Sequence, residues 1–234
     1  MSLPRVVPAH EWLAARKDLQ AAEEEAVRTL QQIASQRREM PAVKIEKDYV
    51  FVGPAGQASL LDLFEGRAQL IVQHFMFDPD WDEGCPVCSY QADSLGHLAH
   101  LHARNTSFAA VSRAPISKIE PFRQRMGWAF PWYSSLGSDF NYDFHVTQDE
   151  SVAPIEYNFR TAQELADLGQ PWAARPGEKG GVSVFLRDGG TVLHTWSGYG
   201  LVMDLLCGTD IHLDLTPLGR QDETVELRHH DKYA

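Results

Sequence analysis

Hydrophobic residues near the start of the chain recur every seven positions, and charged residues fill most of the places between them. The repeating positions are Trp12, Leu19, Ala26 and Ile33. This period predicts one amphipathic helix from residue 11 to about residue 38, closed by Pro41. Because the apolar stripe is narrow, the helix needs a partner surface. That surface is either the rest of the chain or the same helix in a second copy, which would make the protein a homodimer.

Two later segments, residues 69–77 and 107–112, are apolar almost throughout, which predicts strands buried on both faces. Helices are predicted after them, at about residues 85–102 and 115–126. A β-hairpin follows, with its turn at residues 188–190, and then a short helix at residues 201–206. Strand–helix–strand units give parallel strands and the hairpin adds antiparallel ones. We therefore expect an α/β fold with a mixed central sheet and helices on both faces.

The same patterning predicts three parts of the chain. Residues 1–40 form a helical extension, and residues 41–215 form the α/β domain. Residues 216–234 form a polar C-terminal tail, which we expect at the surface and without a role for His229 or His230.

Composition limits which partners the protein can bind and which cellular compartment it can occupy. The 234 residues carry a net charge of −11, which argues against nucleic acid or an anionic membrane, because both attract cationic surfaces. The N-terminal residues lack the apolar stretch of a secretion signal, and no apolar run reaches the length needed to cross a bilayer. We expect a cytoplasmic protein. Three cysteines in a reducing compartment indicate redox chemistry or a metal, rather than a disulfide framework.

The chemically loaded segment is Cys85-Pro86-Val87-Cys88, which follows a buried strand and begins a predicted helix. At a helix N-terminus, unpaired backbone N–H groups and the macrodipole stabilise a thiolate. Pro86 suits the first helical turn, where its missing N–H costs nothing. Cys88 lies one helical turn further on and can reach the first sulfur. The motif therefore predicts Cys85 as an exposed nucleophile and Cys88 as a buried resolving thiol.

The loop before the motif works against this assignment. It carries four acidic residues, Asp78, Asp80, Asp82 and Glu83. Nearby negative charge raises the pKa of a thiol, so we expect Cys85 to be less acidic than a helix terminus alone would make it, unless Arg113 or a histidine compensates. The alternative is a pair of small, buried and inert thiols.

A metal is the rival ligand for the same sulfurs, because two thiolates and two imidazoles form a tetrahedral zinc site. The available imidazoles are His74, His97, His100 and His102. In one straight helix from Cys85, however, His97 and His100 would lie roughly 18 Å along the axis from the first sulfur. We therefore expect no metal and no cofactor.

Residues around the motif supply candidate substrate contacts. Arg113 ends the second buried strand, at the sheet edge where ligands of open α/β folds collect. It is predicted to bind an anionic substrate group or the thiolate, and the alternative is a surface ion pair with the acidic loop. Trp81 either forms a lip for a partner or simply packs. Five aromatic residues are expected to lie in the core, and the alternative is that they form a binding surface: Trp128, Trp132, Tyr133, Phe140 and Tyr142.

Long stretches of the chain resemble an uncharacterised bacterial thioredoxin-like family, labelled as predicted dithiol-disulfide oxidoreductases. The longest is His74-Phe-Met-Phe-Asp-Pro-Asp-Trp-Asp-Glu-Gly-Cys-Pro-Val-Cys88. Others cover residues 47–51, 111–115, 125–128, 130–135, 139–143 and 213–220.

The resemblance implies a thioredoxin-like three-layer sandwich and a redox pair at Cys85 and Cys88. Thioredoxin-like enzymes generally place a cis-proline before the hairpin strand, facing the sulfurs. Alignment on the hairpin turn puts Gly181 at that position, so Gly181 joins Trp81 and Arg113 as a predicted substrate contact.

The sequence thus favours a thiol-disulfide oxidoreductase whose substrate is a thiol or disulfide, small or on a protein. One alternative is a thiol peroxidase of peroxiredoxin type, in which Cys85 forms a sulfenic acid that Cys88 resolves. Another is a non-catalytic binding module that uses the aromatic residues and the acidic loop as its surface.

Overall fold

The computed structural model of the protein describes residues 4–233. It contains two compact units, Met1–Pro41 and Ala42–Ala234. The first unit contains helix α1, Ala9–Glu39, which Pro8 precedes and an extended Met40 ends. This agrees with the helix that the seven-residue period predicts. Ion pairs such as Arg16–Glu23, at 2.8 Å, link its charged positions.

The second unit contains the strands and the remaining helices. The strands are β1 (Val43–Lys44), β2 (Val50–Gly53), β3 (Gly56–Ser59), β4 (Gln69–His74), β5 (Thr106–Ser112), β6 (Trp132–Ser134), β7 (Thr147–Gln148), β8 (Glu156–Tyr157), β9 (Arg160–Thr161), β10 (Gly177–Glu178), β11 (Gly181–Asp188) and β12 (Thr191–Tyr199). The helices are α2 (Pro86–Asp93), α3 (Ala99–His102), α4 (Ile116–Arg125), α5 (Phe140–Asp143), α6 (Ala162–Asp167) and α7 (Gly208–Leu213). Short 3-10 segments lie at Asp62–Phe64, Pro171–Ala174, Gly200–Leu206 and His230–Lys232.

The main sheet has the strand order β1-β12-β11-β4-β5-β6-β2-β3. Strands β4, β5 and β6 are parallel, whereas β11 runs antiparallel to both β4 and β12. The central run β4–α2–β5–α4–β11–β12, with its carboxyl-terminal helical segments, is the strand–helix alternation closed by a hairpin that the sequence predicts. The thioredoxin-like α/β sandwich with a mixed central sheet and an N-terminal helix is thus confirmed.

Alternating side chains of the central strands build one core on each face of the sheet. Leu70 and Val72 of β4 enter the first core, and Phe108 and Ala110 of β5 enter the second. Every residue of β5 is buried, as expected for a strand covered on both faces. Helices α2 and α4 supply residues to the second core. The N-terminus of α2 lies at the carboxyl end of β4, because the Cys85 N–H donates to the carbonyl of Met76, two residues after that strand.

Two predicted helices differ from the structure. The helix expected over residues 85–102 is broken between α2 and α3, around Gly96. Glycine costs about 1 kcal/mol inside a helix, and Asp93, the last residue of α2, accepts a hydrogen bond from the Trp128 indole at 2.7 Å. The helix expected at residues 201–206 is a 3-10 segment, and α7 follows it without having been predicted.

Within residues 4–233, no helix combines the length and the apolar character that a bilayer span requires.

Candidate redox site at the start of helix α2

Cys85 stands immediately before the first turn of α2. Its backbone is extended, with φ −59° and ψ 131°, and Pro86 takes the first helical position. The Cys85 N–H donates to the Met76 carbonyl at 2.9 Å, and its carbonyl accepts from the Ser89 N–H and hydroxyl. The side chain is partly exposed. The helix start is thus where the proline and the preceding strand predict it.

Cys88 lies one turn into the helix and is buried, with 4% of its surface exposed. Its sulfur accepts a hydrogen bond from the Met76 N–H at 3.3 Å. Met76 therefore holds both cysteines, Cys85 through its carbonyl and Cys88 through its N–H. Gly180 closes the other side, because a Cβ built on it would lie 3.6 Å from the Cys88 sulfur.

The two sulfurs are neighbours with opposite tendencies to ionise. The Cys88 thiol donates a hydrogen bond to the Cys85 sulfur and lowers the pKa of Cys85 to about 7, although burial opposes this change. Backbone N–H groups of Cys88 and Val87 lower that pKa further, without forming a regular capping hydrogen bond. The pKa of Cys88 is raised by its role as the donor, by burial and by the charge of Cys85. Cys85 is therefore the thiol of the pair that ionises first, and Cys88 the one that stays protonated.

Cys207 shows what a thiol outside this arrangement does. It is buried, and burial followed by the charges of Asp210 and Asp204 raises its pKa. Its sulfur lies 3.7 Å from the Met203 carbonyl, between the 3-10 segment and α7.

The acidic loop does not present a free carboxylate at Glu83. Arg125 binds Glu83 at 2.6 Å and Lys232 binds the same carboxylate, and these contacts lower its pKa to about 2. At Glu83 the compensating cations are Arg125 and Lys232 and not Arg113, and Nδ1 of His229 lies 3.3 Å from the same carboxylate.

Arg113 turns to a different carboxylate from the one expected. Its guanidinium lies 3.5 Å from Glu178 and donates to the Tyr142 hydroxyl at 3.0 Å. An ion pair with the acidic loop is therefore wrong. Arg113 follows β5, and the segment that packs beside it is the one before β11, which carries Glu178, and not the acidic loop.

Glu178 is the residue of this site that sequence reasoning missed. It is 7% exposed, and Thr147 donates to it at 3.0 Å. Burial raises its pKa to about 7 against the opposing effect of Arg113, and its charge contributes to the raised pKa of Cys88. The available signal was its place three residues before the hairpin strand, at the sheet edge that carries the cysteines.

The remaining predicted contacts are distributed around the pair. Gly181 pairs with His74 and Tyr199, and a Cβ there would meet the Tyr199 ring at 2.5 Å. Because successive residues point to opposite faces, Gly180 and not Gly181 lies against the Cys88 sulfur. Trp81 is 40% exposed in the loop, and its carbonyl accepts from Lys118 at 2.9 Å.

The aromatic residues do not form one surface. Trp128 and Trp132 are buried in the second core, whereas Phe140 is buried in the first, on the other face of the sheet. The core reading is correct for these three residues. In the part of the chain described, no cluster of three or more His, Cys, Asp or Glu side chains has a metal-binding arrangement. The break after α2 nevertheless removes the straight helix on which the sequence argument against a metal relied.

The polar tail was expected at the surface, but part of it is buried. His229 is 4% exposed, and its Nε2 lies 2.8 Å from the carbonyl oxygen of Gly84, the residue before Cys85. A run of polar residues gives no periodic signal, so the sequence could not show where this tail packs.

Comparison with known proteins identifies a family and several similar folds. A family model described as a bacterial protein of unknown function (DUF899) matches residues 1–233. No curated protein matches the chain.

Solved structures similar to the chain include Xanthomonas campestris peroxiredoxin Q, at 15% identity over 70% of this chain and 90% of that one, with a TM-score of 0.45. The peroxidoxin BcpB from Mycobacterium tuberculosis is 14% identical over 73% and 92% of the two chains, with a TM-score of 0.45. The mitochondrial 2-Cys peroxiredoxin from Plasmodium falciparum is 12% identical over 75% and 94%, with a TM-score of 0.43.

Proposed function

The chain belongs to the bacterial family DUF899, and we propose from the geometry of its site that it is a thiol-disulfide oxidoreductase. Cys85 is the nucleophile and Cys88 the resolving thiol. One observation carries the proposal: Cys85 stands partly exposed at the start of α2, with buried Cys88 one turn further on. The contact with Cys88 lowers the pKa of Cys85 to about 7, and the same contact raises that of Cys88. The pKa of Cys207, a buried thiol outside the pair, is raised instead.

The reaction begins when the Cys85 thiolate attacks one sulfur of a substrate disulfide. A Cys85–substrate disulfide forms, the substrate S–S bond breaks, and the first substrate half leaves as a thiolate. Cys88 then loses its proton and attacks the Cys85 sulfur, which forms the Cys85–Cys88 disulfide and releases the second half. The substrate is reduced by two electrons and the protein is oxidised by two. A dithiol reductant returns the protein to its starting state by the reverse exchange.

The electrostatics of the pair favour this order of events. Two of the influences that raise the pKa of Cys88 are its hydrogen bond to Cys85 and the negative charge of Cys85. Both end when Cys85 becomes part of a mixed disulfide, because the sulfur is then neutral. Cys88 therefore becomes easier to deprotonate at the step in which its thiolate is required.

We further propose Trp81, Arg113 and Gly181 as substrate contacts around the pair. The guanidinium of Arg113 already pairs with Glu178, so we propose that the two side chains meet the substrate together. The substrate is a thiol or disulfide, either small or on a protein. A dithiol pair in a chain of three cysteines suits the cytoplasm, which is the compartment we propose. Dimerisation through α1 is a separate proposal that oligomeric-state measurements address.

The test is to expose the reduced protein to oxidised glutathione and to map its disulfides by mass spectrometry. We expect a Cys85–Cys88 bond in the wild type, a trapped glutathione adduct on Cys85 in Cys88→Ser, and almost no reaction in Cys85→Ser. Cys207→Ser is the matched control and should behave like the wild type. If the thiols of Cys85 and Cys88 are unreactive in the folded protein, the proposal is contradicted, and the non-catalytic binding module becomes the favoured alternative.

Replacing oxidised glutathione by hydrogen peroxide distinguishes a thiol peroxidase from a thiol-disulfide oxidoreductase. A peroxidase would form the Cys85–Cys88 bond faster with peroxide than with the disulfide, through a sulfenic acid on Cys85 and the release of water. We expect the disulfide to be the better oxidant.

A further inference from the structure

The C-terminal tail packs against the peptide that leads into Cys85. Carbonyl oxygens only accept hydrogen bonds, so Nε2 of His229 carries a proton and donates to Gly84 at 2.8 Å. Nδ1 of the same ring lies 3.4 Å from an Arg125 guanidinium nitrogen and 3.3 Å from Glu83. The ring also packs edge-on against Phe122, with 5.3 Å between centroids. One buried side chain thus contacts the loop, helix α4 and the residue before the nucleophile.

The Cα of Gly84 lies so close to two aromatic rings that a side chain there would not fit. A Cβ built on it would lie 2.6 Å from the Phe75 ring and 2.8 Å from the Phe122 ring. The backbone at residue 84 is therefore pressed against the second core, and His229 holds the carbonyl that projects from it. Because Cys85 is bonded directly to this peptide, the direction of the Gly84 carbonyl restricts the position of the Cys85 backbone.

The tail also completes a balanced group of charges in front of Cys85. Glu83 binds Arg125 and Lys232, and Arg125 binds Asp231 at 3.0 Å. Two cations therefore face two carboxylates. Nearby, His230 contacts Asp93 at 2.9 Å, which ties the tail to the end of α2 as well. Without Lys232, the group would have one negative charge in excess, two residues from the nucleophile.

We propose that the segment His229–Lys232 is a positioning element of the redox site: His229 fixes the Gly84–Cys85 peptide, and Lys232 with Arg125 cancels the charge of Glu83. The tail thereby holds Cys85 in the position where the Cys88 thiol and the N–H groups of α2 stabilise its thiolate. This rests on the proposed function of the cysteine pair, and it assigns a part in that function to residues far away in sequence.

The first experiment measures the alkylation rate of Cys85 by iodoacetamide as a function of pH in two His229 variants. His229→Leu keeps most of the volume but removes the donor, so we expect the midpoint of the profile to rise by about one pH unit, a tenfold loss of thiolate below it. His229→Gln retains an N–H donor and should recover most of the wild-type profile. A Gln variant that shifts as far as the Leu variant would overturn the role of the hydrogen bond.

The second experiment addresses the charges with variants that leave the core untouched. Lys232→Met should raise the midpoint for Cys85, and Glu83→Gln in the same chain should restore it, because the pair of changes balances the group again. Lys47→Met is the matched control: Lys47 is 49% exposed and Lys232 47%, but Lys47 pairs with Asp139 and Asp143. A shift in the control as large as in Lys232→Met, or no restoration in the double variant, would overturn the charge argument.

These readouts are independent of turnover. If oxidised glutathione leaves the wild-type pair reduced while the tail variants still shift the alkylation profile, the proposed function fails and the positioning role stands. If the wild type forms its disulfide but His229→Leu and Lys232→Met both keep the wild-type profile, the positioning role fails alone.

Discussion

Two glutamates lie beside the cysteine pair, and the protein treats them in opposite ways. Glu83, in the loop before Cys85, is one-third exposed and bound by two cations, which lower its pKa to about 2. Glu178, before strand β11, is almost completely buried beside a single arginine at 3.5 Å, and burial raises its pKa to about 7. The same side chain is therefore a firmly ionised partner in one region and a titrating group in the other.

The difference shows that closeness in sequence is a poor guide to which charge acts on a thiol. Glu83 is two residues from Cys85, yet its charge is cancelled by Arg125 and Lys232. Glu178 is 90 residues from Cys88, yet its charge contributes to the raised pKa of that thiol. Burial and the number of cationic partners decide the outcome, because both set how far the field of a carboxylate is screened.

The strongest test of this contrast is the pH dependence of stability in Glu178→Gln. The pKa of Glu178 is raised from 4.5 to about 7, so its favourable contribution is complete below pH 4.5 and is lost as the pH rises through 7. Gln is neutral throughout and can still accept from Thr147. We expect the variant to gain stability relative to the wild type between pH 5 and pH 8, by at most about 3 kcal/mol.

Urea unfolding at pH 5 and pH 8 measures this gain. The exposed Glu150→Gln is the control and should follow the wild type at both values. Parallel pH curves for wild type and Glu178→Gln would mean that Glu178 is ionised in the folded protein as easily as in the unfolded chain, and the contrast with Glu83 would disappear.

Glu83→Gln should show the opposite sign. The pKa of Glu83 is lowered in the folded protein, so its contribution is present above pH 4.5 and is lost as the pH falls through about 2. Because the pair is partly exposed and screened by solvent, we expect the variant to lose about 1 kcal/mol at pH 7. Urea unfolding in low salt and in 1 M salt checks the cause, since screening should shrink the difference. A loss that is independent of salt would point to packing instead.

Local patterns were sufficient to predict most of the fold. The seven-residue period located α1, and the apolar runs located β4 and β5, because an amphipathic helix and a strand buried on both faces each have a characteristic sequence pattern. The break after α2 was missed, since it depends on Gly96 together with the contact between Asp93 and Trp128, 35 residues apart. Patterns of a few residues cannot report such contacts.

The site divides in the same way. The position of Cys85 at the start of a helix followed from Pro86 and the preceding strand, both of which are local. The roles of Glu178, His229 and Lys232 depend on chain segments that meet only in three dimensions. A polar tail and a lone glutamate look alike in sequence whether they are solvated or packed, which is why the charge environment of the thiol was not predictable.

The smallest expected effect sharpens the comparison at the thiol itself. Removing the charge of Glu83 leaves Arg125, Lys232 and Asp231 in front of Cys85, with one positive charge in excess. Glu83→Gln should therefore lower the pKa of Cys85, by about 0.3 units, the size that Coulomb's law gives in water for unit charges roughly 10 Å apart. The alkylation profile of Cys85 at low ionic strength measures the shift. Asp188→Asn, at the exposed end of β11 away from Gly181, changes the net charge equally and should have no effect; an equal shift there would show that total charge, and not the group around Glu83, sets the pKa of the nucleophile.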